Sequence, residues 1–229
     1  MTDAPPLVDV LDSARSVLVL AGGLSDAKDA ACASLLARDA PAETTALAVS
    51  YDRSGGEWLA HAESAMGGEP AEALVVDASG TGEGGDRVTT TGPDDLTGMQ
   101  IALSEAFPIA GTGVFCFDSF TTLLQYIDEA DAYRFCNELL GRLWDAGVNV
   151  HVHLDPAATD ADTVRSLASL FDAVVAADAG AIPAPTDPAV ADGREVAVAT
   201  RSRGKETTNS LAEQATRKWP TTSNPPGRT

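Results

Sequence analysis

Three short runs in this chain, VLVL (17–20), VFCF (114–117) and AVVA (173–176), are apolar at every position. A strand with one wet face alternates apolar and polar residues. A strand without alternation needs cover on both sides, as in a parallel sheet sandwiched between helices. Strand patterns fall at Ser16–Leu20, Thr44–Tyr51, Ala73–Asp77, Gly113–Asp118, Val148–Leu154 and Ala173–Ala177. Helical patterns lie between them at about 26–38, 54–67, 93–107, 119–146 and 159–171. This rhythm predicts βαβ crossovers and an α/β fold, a three-layer αβα sandwich around a mostly parallel sheet. The segment TGEGGDRVTTTGPDD (81–95) interrupts it and reads as a glycine-rich surface loop with a short edge strand, RVTTT.

Punctuation between the elements agrees. Pro93, Asp94 and Asp95 stand where a helix start favours proline and acids. Thr159 or Asp160 offers an N-cap before an apolar face of Val164, Leu167 and Leu170. After Asp178 the pattern stops. Residues 1–180 are therefore expected to form the α/β domain, and 181–229 a Pro-rich linker with a basic, disordered tail.

Charge narrows the setting. The 229 residues carry a formal −19, with three lysines against twelve arginines. Acidic excess with scarce lysine suits a salt-loaded cytoplasm, where the Debye length shrinks to about 3 Å at molar salt and self-repulsion is screened. A halophilic archaeal host is the expectation. The charge is uneven: seven Lys/Arg and three Glu after residue 193 give +4, leaving −23 on the rest. Such a tail could meet an acidic partner. Nucleic acid is disfavoured, because electrostatic affinity for it falls steeply with salt. No apolar run approaches the roughly 20 residues of a membrane span, and the acidic N-terminus lacks a signal peptide's basic start. A cytoplasmic protein with no membrane partner is expected. Cys32, Cys116 and Cys136 are widely spaced in apolar segments and read as core residues.

Three stretches could carry chemistry. The first is AGGLSDAKDA (21–30), after the first strand. A phosphate-binding loop wants Gly, four residues, Gly, Lys, then Ser or Thr. From Gly22 the spacing gives Ala27, Lys28 and Asp29: the lysine fits, while one glycine and the hydroxyl are missing. Ala27 puts a methyl where the backbone must approach phosphate, and Asp29 sets a negative charge beside it. The second is GVFCFDSF (113–120), where an apolar strand ends in Asp118 and Ser119. An acid at that end can hold Mg²⁺ through water or cap the following helix. The third is NVHVHLDP (149–156), whose period of two puts Asn149, His151, His153 and Asp155 on one face. His151, His153 and Asp155 could hold one metal ion. The bland alternative is that these side chains hydrogen-bond between sheet and helices. There is no Gly-x-Ser-x-Gly elbow, no CxxC pair and no Gly-x-Gly-x-x-Gly after the first strand, so neither a serine or cysteine hydrolase nor a dinucleotide fold is supported.

The segments VLVLAGGLSDAKDAACASLLA, DDLTGMQIALSEAF, FCFDSFTTLLQYIDEADAYRFCNELLGRLWDAG and VHVHLDPAATDADTVRSLASLFDAVV together resemble a haloarchaeal family of uncharacterised proteins distantly related to RecA/KaiC-type ATPases. The resemblance spans about residues 14–178. It implies a RecA/KaiC-like sheet, with 21–29 in the Walker A place and FCFDS (115–119) in the Walker B place. The implied nucleotide positions are Gly22, Gly23, Lys28, Asp29, Asp118 and Ser119, with ATP and Mg²⁺ as the ligands a retained site would take. The altered loop makes the expected function a non-hydrolysing regulatory or scaffolding domain, acting with a protein partner or as a homo-oligomer. The alternatives are an ATPase completed by a partner subunit, and a metal-binding protein using His151, His153 and Asp155.

Overall fold

The computed structural model describes residues 14–23, 25–105 and 112–177, and the backbone of 197–200. Among these residues eight strands form one sheet: β1 (Ser16–Leu20), β2 (Thr44–Ser50), β3 (Glu72–Asp77), β4 (Val88–Thr90), β5 (Thr112–Asp118), β6 (Val148–Leu154), β7 (Ala173–Ala176) and β8 (Ala197–Thr200). Their order is β4-β3-β2-β5-β6-β1-β7-β8. The first seven are parallel, and β8 joins β7 antiparallel. Among the described residues six α-helices connect them: α1 (Asp26–Leu36), α2 (Gly55–Met66), α3 (Leu96–Glu105), α4 (Phe120–Leu123), α5 (Glu129–Asp145) and α6 (Ala161–Ala168).

Strand parity decides which layer each side chain enters. From β1, Val17 and Val19 pack with Ala27, Ala31 and Leu35 of α1. Leu18 and Leu20 turn to the opposite face, against α4, α5 and α6. From β2 and β5, Ala46, Ala48, Val114 and Cys116 meet Trp58 and Leu59 of α2, while Leu47, Val49, Phe115 and Phe117 enter the other layer. The three-layer α/β architecture read from the fully apolar runs is thus the one observed. Small residues dominate the α1 layer, where Ala21, Ala27, Ala31 and Ala173 pack beside Val17, Val19, Val175 and Leu35. The opposite layer takes Phe115, Phe117, Phe120, Phe135 and Phe171.

Caps place the helix starts. Ser25 accepts from the Lys28 amide at the head of α1, and Ser54 forms a reciprocal capping box with Glu57 at the head of α2. Asp160, one of the two candidates, caps α6. The chain ends α2 on Gly67, which takes the left-handed φ of 73° that favours glycine.

Two elements depart from the sequence reading. The continuous helix expected over 119–146 breaks into α4 and α5, because Asp128 accepts from the Asp131 amide (2.8 Å) and starts a new helix. Residues 197–200, assigned from sequence to linker and tail, instead form β8; the rest of the tail lies outside the described residues. The edge strand expected in RVTTT is β4, with Val75–Asp77 of β3 as its partner.

The winding reverses at the middle of the sheet. From β2 the chain moves outward to β3 and β4, then returns to β5 on the other side of β2. After β2 it enters α2 on one face, and after β5 it enters α4 and α5 on the opposite face. Between two such strands the C-terminal ends diverge and leave a crevice, where ligands bind in open α/β sheets.

Candidate functional site

At that crevice the turns after β1, β2, β5 and β6 meet. The centre is Lys28, in the first turn of α1 and only 3 % exposed. Its Nζ lies 2.7 Å from Asp52 Oδ2, pairs with Asp118 Oδ1, and donates to the Gly23 carbonyl at 3.3 Å. Asp118, at the end of β5, is 1 % exposed and also faces Arg53 Nη1 at 3.4 Å. Arg53 reaches back to pair with Asp29. Asp52 is fixed from its other side by the Thr122 hydroxyl at 2.8 Å, which contacts Ser119 Oγ at 3.1 Å. Two cations and three carboxylates therefore close on one another: Lys28, Arg53, Asp29, Asp52 and Asp118.

The turn itself is held from β6. Gly23 N donates to Asp155 Oδ2 at 3.1 Å, while Asp155 Oδ1 accepts from Ala157 N at 2.8 Å. A carboxylate thus occupies an amide of the glycine turn, the donor a phosphate loop would keep for its anion. Gly22 lends its carbonyl to the Ser25 amide at 3.1 Å, and Ser119 Oγ caps α4 by accepting from Thr122 N at 3.3 Å. Gly23, Lys28, Asp29, Asp118 and Ser119 lie around one crevice, as their positions in sequence suggested. Asp52, Arg53, Thr122 and Asp155 complete the network. Arg53 and Thr122 carried no motif signal: the only hint was that both follow strand ends.

The titration behaviour follows from this mutual pairing. Burial pulls the Lys28 amine down, but the Asp118 charge and hydrogen bond, with those of Asp52, outweigh it and raise the value. Burial pushes the Asp52 carboxyl up, and the Lys28 hydrogen bond and charge, with the Thr122 hydroxyl, more than reverse this. Arg53 is likewise raised against burial, chiefly by its bond to Asp29.

One helical turn deeper lies a second constellation. His151 and His153 project from β6 toward α1, as strand parity requires, but Asp155 turns away to Gly23, so the expected His151–His153–Asp155 set does not form. Cys32 and Cys116, read from sequence as simple core residues, sit there instead. Cys32 Sγ is 3.7 Å from Cys116 Sγ and 3.5 Å from His151 Nε2. The rings of His151 and His153 meet edge-on, with centroids 5.3 Å apart. The hydrogen bond with Cys116, together with that of His151, holds the Cys32 thiol well below its ordinary value despite burial. Cys136 belongs to the opposite layer, where burial pushes its thiol up to about 12.

A parallel αβα sheet with a polar crevice at its switch point defines the class: an α/β domain that presents side chains from four strand ends at one edge. The chain belongs to a family of unknown function, DUF7504, whose model matches residues 14–177. A search of curated proteins returns no match. Among solved structures, Thermomonospora curvata EccC (ATPases 2 and 3), in complex with a signal sequence peptide, is similar at a TM-score of 0.39 and 15 % identity. That alignment covers 72 % of this chain and 31 % of the EccC chain, so this chain spans about a third of that protein's length. Among the described residues no helix is long and apolar enough to cross a membrane.

Proposed function

We propose that this chain is a RecA/KaiC-like domain whose phosphate chemistry has been replaced by an internal ion-pair network, and that it serves as a non-hydrolysing regulatory or scaffolding protein. The observation that carries this reading is the state of Lys28. A lysine kept for a nucleotide must be free to meet phosphate, whereas this one is buried against Asp52 and Asp118. An incoming phosphate would have to displace two carboxylates from it and displace Asp155 from the Gly23 amide. It would also sit beside Asp29, where like charge opposes it. Mg²⁺ alone fares no better, since Asp118 already holds Lys28 and Arg53. Surface chemistry supports a protein partner: Ile101, Tyr126, Tyr133 and Trp144 remain exposed, and aromatic side chains are enriched where proteins meet.

Isothermal titration of Mg·ATP into the full chain at molar KCl, run beside a phosphate-release assay, tests the reading. No binding tighter than millimolar and no turnover are expected. Micromolar binding with turnover that Lys28→Ala abolishes would overturn it. Turnover that appears only in an oligomeric fraction would also overturn it, in favour of a site completed by a partner subunit.

A further inference from the structure

The four-residue cluster beneath the crevice has the geometry of a closed metal centre. Cys32 comes from α1, Cys116 from β5, and His151 and His153 from β6. Their exposures are 1 %, 0 %, 1 % and 2 %, and one ligand atom from each lies within 4.8 Å of all the others. A tetrahedral zinc ion, bound at roughly 2.3 Å to sulfur and 2.0–2.1 Å to nitrogen, sets two sulfurs about 3.8 Å apart and a sulfur and nitrogen about 3.6 Å apart. The observed sulfur–sulfur and sulfur–nitrogen separations are 3.7 and 3.5 Å. Ordinary packing does not demand that match.

A second observation points the same way. Both ring nitrogens of His153 are fully buried without a hydrogen-bond partner. A buried polar atom left unpaired is costly, so an imidazole placed here for packing alone would be a poor choice. An ion at the centre of the cluster gives one of those nitrogens a partner. It also explains why two thiols and two imidazoles share the otherwise apolar layer between sheet and helices.

We propose that Cys32, Cys116, His151 and His153 bind one zinc ion as a structural Cys₂His₂ site. Two thiolates and two neutral imidazoles in a tetrahedral set select zinc over the hard cations Mg²⁺ and Ca²⁺, which prefer oxygen. Four protein ligands leave no open position, so the site holds structure and does not activate water. Its placement says what it holds. Lys28 is one helical turn before Cys32, Asp118 is two residues after Cys116, and Asp155 is two residues after His153. The ion ties α1, β5 and β6 together below the ion-pair network and sets the spacing of its members. His61, the remaining histidine, lies on α2 outside this four-residue set.

The test uses the full chain, purified at molar KCl from cells grown with added zinc. Elemental analysis should find one zinc per chain, and zinc X-ray absorption on the wild-type protein should show two sulfur and two nitrogen ligands. Cobalt exchange should give the ligand-field bands of a tetrahedral site with thiolate charge transfer. Cys116→Ser and His153→Ala should reduce metal content at least tenfold, while His61→Ala and Cys136→Ser retain one equivalent. Folded wild-type protein without stoichiometric zinc would overturn the proposal. So would a Cys32–Cys116 disulfide, a coordination shell lacking sulfur, copper or iron in place of zinc, or loss of metal in His61→Ala. Absorption on the unaltered protein keeps the test decisive if the ligand variants fail to fold.

Discussion

Replacing Lys28 by methionine separates a lysine that serves a ligand from one that serves the fold. A binding-site lysine is held ready at some cost to stability, so its removal is neutral or stabilising. Here the opposite is expected. At 2.7 Å and an effective dielectric near 20, the attraction between Lys28 and Asp52 is about 6 kcal/mol before desolvation. Burial of the ions returns several kcal/mol of that gain, but removing one partner strands the other. In Lys28→Met, Asp118 stays at 1 % exposure with only the 3.4 Å contact to Arg53. The expected loss is about 3–5 kcal/mol, the range for breaking a buried pair. For a domain of this size that is a fall in Tm of roughly 6–20 °C.

Thermal and urea unfolding followed by circular dichroism, at sub-molar and molar KCl, would measure this. A buried pair is little screened, so the loss should persist at high salt. The pH dependence gives an independent check. Asp52 is depressed, so its share of stability is present above the unfolded value near about 3.9 and disappears as pH falls through its lower folded value. Lys28 is raised, so its share is present below about 10.4 and disappears as pH rises through its higher folded value. Wild-type stability should therefore decline at both extremes, and Lys28→Met should flatten both declines. A variant within about 1 kcal/mol of wild type would refute the reasoning, as would a loss that molar salt erases.

Two further outcomes are expected from packing. Gly55→Ala places a methyl 2.5 Å from Val88 Cγ1, where β4 crosses the head of α2, and should cost about 1–3 kcal/mol in urea unfolding. Tyr51→Phe removes the 2.7 Å hydrogen bond to the Pro93 carbonyl while keeping the ring stacked on Phe117. A loss of about 1 kcal/mol should follow, with the near-ultraviolet spectrum of the remaining aromatics little changed.

How much of this was legible in the sequence varies with the range of the interaction. The boundaries of β1 and β6 match the sequence reading residue for residue, because valine at every second position marks a strand locally. Asp160 as a cap and His151 beside His153 on one face are equally local. The break before α5 was hidden, because Leu123, Leu124, Tyr126 and Ile127 continue an apolar pattern through it. Only the Asp128 hydrogen bond to the next turn ends that pattern. Cys32 and Cys116 are separated by 84 positions, and nothing in their spacing announces a shared neighbour.

The sequence by itself determined the class of fold, the parallel sheet with two covered faces, and the position of Lys28 at the turn after β1. Period and composition suffice for these, since each depends on residues a few places apart. Tertiary structure decided what Lys28 does. Placing β5 and β6 between β1 and β2 brings Asp118 and Asp155 to the lysine's turn, and the loop after β2 adds Asp52 and Arg53. That order is set by how the whole chain buries its two layers. A motif read along the chain carries the lysine, while the fold supplies the carboxylates that neutralise it.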